Sequence, residues 1–136
     1  MKLLMIYAHQ FAYLTAEKNL KDTPDAEGNN SLQEVIVAFI HVEEEDMKRE
    51  KNVLDKLVKN IKWLSGKLKT KNVVLHSFAH LSESKASPEF GKQLLDKAQK
   101  KLKNAKYEVR QTPFGYFLDL DIQAPGFSLA RVFKNL

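Results

Sequence analysis

The run Val35-Ile36-Val37-Ala38-Phe39-Ile40 restricts the possible folds of this chain more than any other stretch. It is continuous, apolar and rich in β-branched side chains, which suits a strand. A strand points alternate side chains to opposite faces, so an unbroken run needs apolar cover on both. That is a central strand with a further layer on each side, and the rest of the chain has to supply those layers.

Hydrophobic periodicity says how. Residues 2–8 read as a buried strand, and residues 11–16 as a second strand with alternating faces. Asp22 to Ser31 is turn chemistry throughout and reads as a loop. Over 47–69, Leu54, Leu57, Val58, Ile61, Leu64 and Leu68 recur at helical spacing. The acidic stretch Glu43-Glu44-Glu45-Asp46 precedes that helix, where negative charge complements the helix dipole. Residues 72–76 form a short strand. Ser87-Pro88 offers an N-cap and a first-turn proline for a helix to about Lys103, with Phe90, Leu94, Ala98 and Leu102 on one face. Strands follow at 107–111, 116–122 and 127–133, the last two separated by Ala124-Pro125-Gly126. The expected order is β-β-β-α-β-α-β-β-β, an α/β fold whose middle requires right-handed crossovers. With 136 residues and no linker or repeat, residues 1–136 are expected to form one domain.

Composition then removes several chemistries. The chain has no cysteine, so thiolate metal sites and a cysteine nucleophile are out. No phosphate-binding glycine loop, dinucleotide fingerprint or nucleophile elbow occurs. His76 and His80 are four apart but span a strand end and a loop, so the spacing does not put them on one helix face for zinc. No metal or cofactor is expected. No segment approaches the ~20 apolar residues of a membrane span, and the start lacks a signal-peptide pattern, so the expected location is cytoplasmic. The net charge of +5 is unevenly placed: residues 47–71 carry nine basic and two acidic side chains, and residues 85–106 seven and two. Both segments read as helices. Such faces either attract phosphate or are solvated lysine surface.

Two short segments stand out as candidate sites. Ser77-Phe78-Ala79-His80-Leu81-Ser82 follows the fourth expected strand, and the carboxyl end of a strand in an α/β sheet is a favoured ligand position. His80 there reads as a pocket wall, a hydrogen-bond donor, a general base, or a histidine satisfying loop backbone. Thr112-Pro113-Phe114-Gly115-Tyr116-Phe117 places a glycine among aromatics. It reads as a turn into a core strand, or as a platform stacking on a base or ribose.

Taken in order, these two segments resemble the N-terminal editing domain of archaeal threonyl-tRNA synthetase. The strand Lys2–Ala8, the central run followed by Val42-Glu43, and Pro125-Gly126 to Leu129-Ala130 also fit that family. The resemblance implies a three-layer α/β/β fold of the D-aminoacyl-tRNA deacylase type, usually a homodimer. It implies proofreading hydrolysis of L-serine from tRNA specific for threonine, with backbone groups and the tRNA 2′-hydroxyl acting on the ester. The implied partners are the 3′-terminal aminoacyl-adenosine of tRNA and a synthetase catalytic module. A site built for threonine rejects serine, one methyl smaller, by only about 1–3 kcal/mol, so a second site is needed.

Carried over residue by residue, the resemblance places Ala79 (through its backbone), His80, Phe117 and Leu118 at catalytic positions. It places Phe78, Phe114, Gly115, Tyr116 and Arg131 around the substrate. Phe117 stands where the family usually has tyrosine, Leu118 where it has lysine, and Arg131 where it has glutamate. Three outcomes stay open: a seryl-ester hydrolase, a D-aminoacyl-tRNA deacylase, and a weakened module that holds tRNA ends or dimerises.

Overall fold

The computed structural model describes residues 1–20 and 29–136. The chain runs β1 (Lys2–Lys18), β2 (Asn29–His41), a 3-10 turn (Glu44–Lys48), α1 (Glu50–Leu68), β3 (Asn72–Ser77), α2 (Pro88–Asn104), β4 (Glu108–Gln111), β5 (Tyr116–Gln123), a second 3-10 turn (Ser128–Ala130) and β6 (Arg131–Asn135). The sheet order is β4-β3-β2-β1-β5, and β6 also pairs with β1. β3 lies parallel to both β2 and β4, whereas β1 is antiparallel to β2, β5 and β6. β5 runs beside residues 10–18 of β1, and β6 beside residues 2–6.

The two strands expected at 2–8 and 11–16 are one continuous strand. The pattern break that suggested two is nonetheless physical. Tyr7 belongs to the helix-side core, but Ala8 and Phe11 both belong to the opposite one. In β2, Leu32 and Val35 share that opposite core likewise. The two strands change phase together, and the pairing continues on both sides, Ala8 with Val35 and Gln10 with Gln33. At this corner Glu34 adopts φ 49°, a left-handed conformation costly for a side chain other than glycine. Its neighbours hold it there: Tyr7 donates to its carboxylate, His9 Nδ1 lies 3.0 Å from Oε1, and Thr70 Oγ1 donates to its carbonyl at 2.6 Å. The expected loop at 22–31 lies mostly outside the described residues. Its end, Asn29–Ser31, is already strand paired with β1.

α1 and α2 cover one face. Val53, Leu57, Ile61 and Leu64 of α1, with Leu94, Ala98 and Leu102 of α2, close on Leu3, Met5, Ile36, Ala38 and Leu75. Ser87 caps α2 by accepting from Phe90 N, and Pro88 fills the first turn. On the other face Val35, Val37, Phe39 and Val74 meet Phe11 and Tyr13 from the outer part of β1, with Leu118 and Ile122 of β5 packed on them. The central run is therefore covered on both sides, as its composition demands: helices, sheet and a second β layer.

The last expected strand, 127–133, begins instead as a 3-10 turn, and β6 proper is Arg131–Asn135. The acidic stretch forms a capping box rather than a bare charge cluster: Asp46 accepts from Glu43 N, and Arg49 bonds Asp46 at 3.2 Å. The buried ammonium of Met1 lies 2.9 Å from both Asp46 and Glu43. Desolvation alone raises the Glu43 carboxyl. The ammonium and the Ser82 hydroxyl overcome this and hold it at about 2.

Candidate functional site: an aromatic cleft at the ends of the parallel strands

β2, β3 and β4 all point their carboxyl ends to the same edge, and the chain leaves each of them there. Phe78 N donates to Ile40 O at 2.9 Å, which starts the loop after β3 beside the end of β2. Thr112 N donates to Leu75 O at 3.1 Å, which brings the segment after β4 alongside. Between them lies a cleft of about 430 Å³. Both candidate segments line it: Phe78, Ala79 and His80 from one, and Phe114, Gly115, Tyr116, Phe117 and Leu118 from the other. Gly115 has φ 85°, a conformation in which only glycine is unstrained. Its carbonyl accepts from Asn19 N at 2.8 Å, tying the turn to the end of β1.

Arg131, expected at the substrate, is not among the cleft-lining residues. It begins β6 opposite Ile6, and its guanidinium donates to Pro125 O at 2.7 Å. The resemblance aligned its position in the chain, but β6 sits at the other end of β1 from β5.

Rings connect the core to the cleft. Phe39 lies 5.2 Å from His76 and 5.1 Å from Phe78, both edge-on. Phe78 meets His80 at 4.9 Å, and His80 faces Phe117 at 6.4 Å across the cleft. The first histidine is structural: His76 is buried, and its Nδ1 lies 2.8 Å from Thr112 Oγ1. Burial, with a smaller push from His80, lowers its pKa to about 4, so it is neutral at ordinary pH. His80 is exposed in the cleft wall.

Sequence reasoning missed the clamp behind this loop. His41, fully buried at the end of β2, spends both ring nitrogens on it. Leu81 N donates to Nδ1 at 2.9 Å, so Nε2 carries the proton that bonds Ser84 O at 2.6 Å. Ser82 Oγ donates to Glu43 at 2.7 Å, Glu44 N donates to Ser84 Oγ at 3.1 Å, and Ala86 N donates to Val42 O at 3.1 Å. The acidic stretch thus anchors the site loop as well as the helix start. No sequence signal marks this, because every contact joins residues some 40 positions apart. Lys85, Asn19 and Leu20 also line the cleft without having been expected there, and Ser77, the first residue of the candidate segment, lines it as well.

The basic helices are partly neutralised by each other. Lys97 pairs with Glu50, and Lys101 with Asp55 at 3.2 Å. Lys59, Lys62 and Lys101 still line a groove between the helices, together with Asn104 and Asp55. Among the described residues no cluster of three or more His, Cys, Asp or Glu side chains is placed to hold a metal ion, and no helix is long and apolar enough to cross a membrane.

A helix layer, a sheet and a second β layer make the three-layer α/β/β arrangement of the D-aminoacyl-tRNA deacylase-like fold. The solved structure of a c-Myc DNA unwinding element binding protein superposes with a TM-score of 0.74 over all of this chain and 99% of that one; at 12% identity the likeness is one of fold. The sequence profile of the archaea-specific editing domain of threonyl-tRNA synthetase matches residues 1–136, and the chain belongs to that family. It is 31% identical to a threonine–tRNA ligase of Thermococcus sibiricus over 139 aligned positions, and 32% to those of Thermococcus gammatolerans and Pyrococcus horikoshii. In each case all of this chain is covered but only 22% of the relative, so the chain spans about a fifth of their length.

Proposed function

We propose that the cleft hydrolyses the ester of L-serine mischarged onto tRNA specific for threonine. The supporting observation is the meeting of Ala79-His80 and Phe114–Leu118 around one small cavity in a chain of the editing family. Water adds to the ester carbonyl carbon, the bond to the ribose oxygen breaks, and that oxygen takes the proton. Free serine and uncharged tRNA leave.

The cleft's contribution is positional. Ring faces at His80 and Phe117 suit the terminal adenosine, since bases stack on aromatic surfaces at about 1–3 kcal/mol each. His41 holds the Leu81 amide and Glu43 the Ser82 hydroxyl, which fixes the adjoining main-chain amides of Ala79 and His80, and fixed backbone donors stabilise developing oxyanions without reorganising. The substrate's 2′-hydroxyl assists the water. Selection against threonine is steric, through the space beside Ala79. The work is done as a module of a longer synthetase or as a homodimer acting on tRNA in trans.

The test follows ester loss from L-seryl-, L-threonyl- and D-aminoacyl-tRNA with the purified protein. Accelerated loss from the seryl ester alone is expected, and no acceleration with any of the three would overturn the proposal. Ala79→Leu fills the space and lowers seryl-ester hydrolysis about 100-fold, the scale set by misplacing a reacting group by about 1 Å. Thermal melting should be near that of the parent. Unchanged hydrolysis in this variant would put the site elsewhere.

A second reading rests on Leu118. It packs onto the second core where the family has a lysine, and so brings no charge to the reacting centre. Tight binding of a seryl-ester analogue with no turnover would favour a module that holds tRNA ends. Preferential loss from the D-aminoacyl esters would favour D-amino acid clearance.

A further inference from the structure

The charge of the cleft is concentrated in one side chain. Among the described lining residues there is no aspartate or glutamate, and Lys85 is the one lysine or arginine. No salt bridge or hydrogen bond of its ammonium occurs within the described residues, unlike Lys92, Lys97 and Lys101 on the adjoining helix. Its backbone is held between two anchored neighbours. Ser84 is bonded by His41 and Glu44, and Ala86 by Val42.

We propose that Lys85 is a positioning residue that binds the phosphate on the 5′ side of the aminoacylated nucleotide. This inference rests on the esterase reading above and identifies which part of the substrate the site reads by charge. Three observations select phosphate over the reacting ester. Lys85 is exposed, so its ammonium stays in water while it lines the cleft. A strongly hydrated ammonium keeps its solvation best beside a group that also remains in water, which the nucleotide phosphate does and the buried ester does not. The seryl α-amino group is itself a cation, so a lysine beside the amino acid would repel it; beside the phosphate it is separated from it by the nucleoside. The absence of lining carboxylates leaves an anion unopposed on entry. The rings of His80 and Phe117 lie on the same cleft and provide the surface on which the nucleoside between ester and phosphate would stack.

Two pairs of small ligands test this with the whole chain. The first pair is 3′-O-seryl-adenosine with and without a 5′-phosphate, read by kcat and KM. The second is the corresponding non-hydrolysable 3′-amide pair, read by calorimetric titration. The 5′-phosphate is expected to tighten amide binding and lower KM by about tenfold, the scale of one hydrogen bond to a charged group at a partly solvated site, with little change in kcat. In Lys85→Met the two members of each pair become equal, and Lys85→Arg restores most of the difference. A phosphate preference that survives in Lys85→Met overturns the proposal. So does a loss in that variant that falls on kcat equally with and without phosphate, since Lys85 would then act on the ester. The amide pair reads Lys85 without turnover. Absence of hydrolysis therefore sinks the esterase reading, while an absent phosphate effect on binding sinks this one.

Discussion

The parallel and antiparallel parts of the sheet are buried to very different degrees. β3, in the parallel part, has four of its six residues buried, whereas β5, on the antiparallel edge, has none of its eight. The parallel strands carry a helix layer and a clamped loop, while β5 exposes Phe117 and Leu120. The cleft lies on the seam between the two. One wall is fixed by a buried histidine and its bonded loop, and the other is an edge strand that touches the second core only through half-buried Leu118 and Ile122. The parallel part carries the stability, and the edge can change its side chains at small cost to the fold. Phe117 and Leu118, where the resemblance expects a tyrosine and a lysine, both lie on that edge strand.

The largest expected effect is a direct comparison of the two parts. Ile61→Ala, beneath the helices, should cost about 3–4 kcal/mol in urea denaturation, because a buried side chain is lost and a cavity remains. Leu14→Ala, on the exposed face beside β5, should cost about 0.5 kcal/mol or less. Equal costs would erase the distinction.

A slightly smaller effect concerns pH and isolates the parallel part. In the unfolded chain His76 takes a proton near 6.5; in the folded protein it does so only near 4. Lowering the pH through that interval therefore favours unfolding, by up to about 3 kcal/mol if the whole shift is expressed. Above 6.5 this histidine contributes no slope, and below 4 the penalty is constant. Denaturation curves of the parent and His76→Gln between pH 4 and 7 check this. The same slope in both would mean that another group titrates.

The smallest effect sharpens the edge side. Gly115→Ala puts a side chain at φ 85° and should cost about 1 kcal/mol. A neutral outcome would mean that the turn relaxes freely and that the second wall is looser than its bond to Asn19 suggests.

The sequence declares the sheet centre and the helices because each has its own local period. Val35–Ile40 could only be central, and Ser87-Pro88 marks the start of α2 within a residue. The strand at 2–8 and its neighbour at 11–16 were separable by pattern but not by chain path, since a coordinated phase change looks the same as a break. In the candidate site, the sequence picked out two segments that line one cleft, from Phe78 to His80 and from Phe114 to Leu118. Arg131, expected beside them, lies outside the cleft lining because β6 pairs with residues 2–6 of β1, whereas β5 pairs with residues 10–18. His41 and Lys85 were invisible for a different reason. Their roles depend on hydrogen bonds between β2 and the loop after β3, and such pairings leave no periodic trace.

The corner at His9 and Glu34 couples the lengths of β1 and β2 in this chain. Both strands turn over at the same rung, so their pairing is intact although their inner and outer sides have exchanged. Losing a single residue from one strand alone would send Phe11 and Tyr13 outward while Leu32 still faced in. A length change there keeps the two faces matched only when both strands make it together, so two stretches far apart in the chain act as one joint.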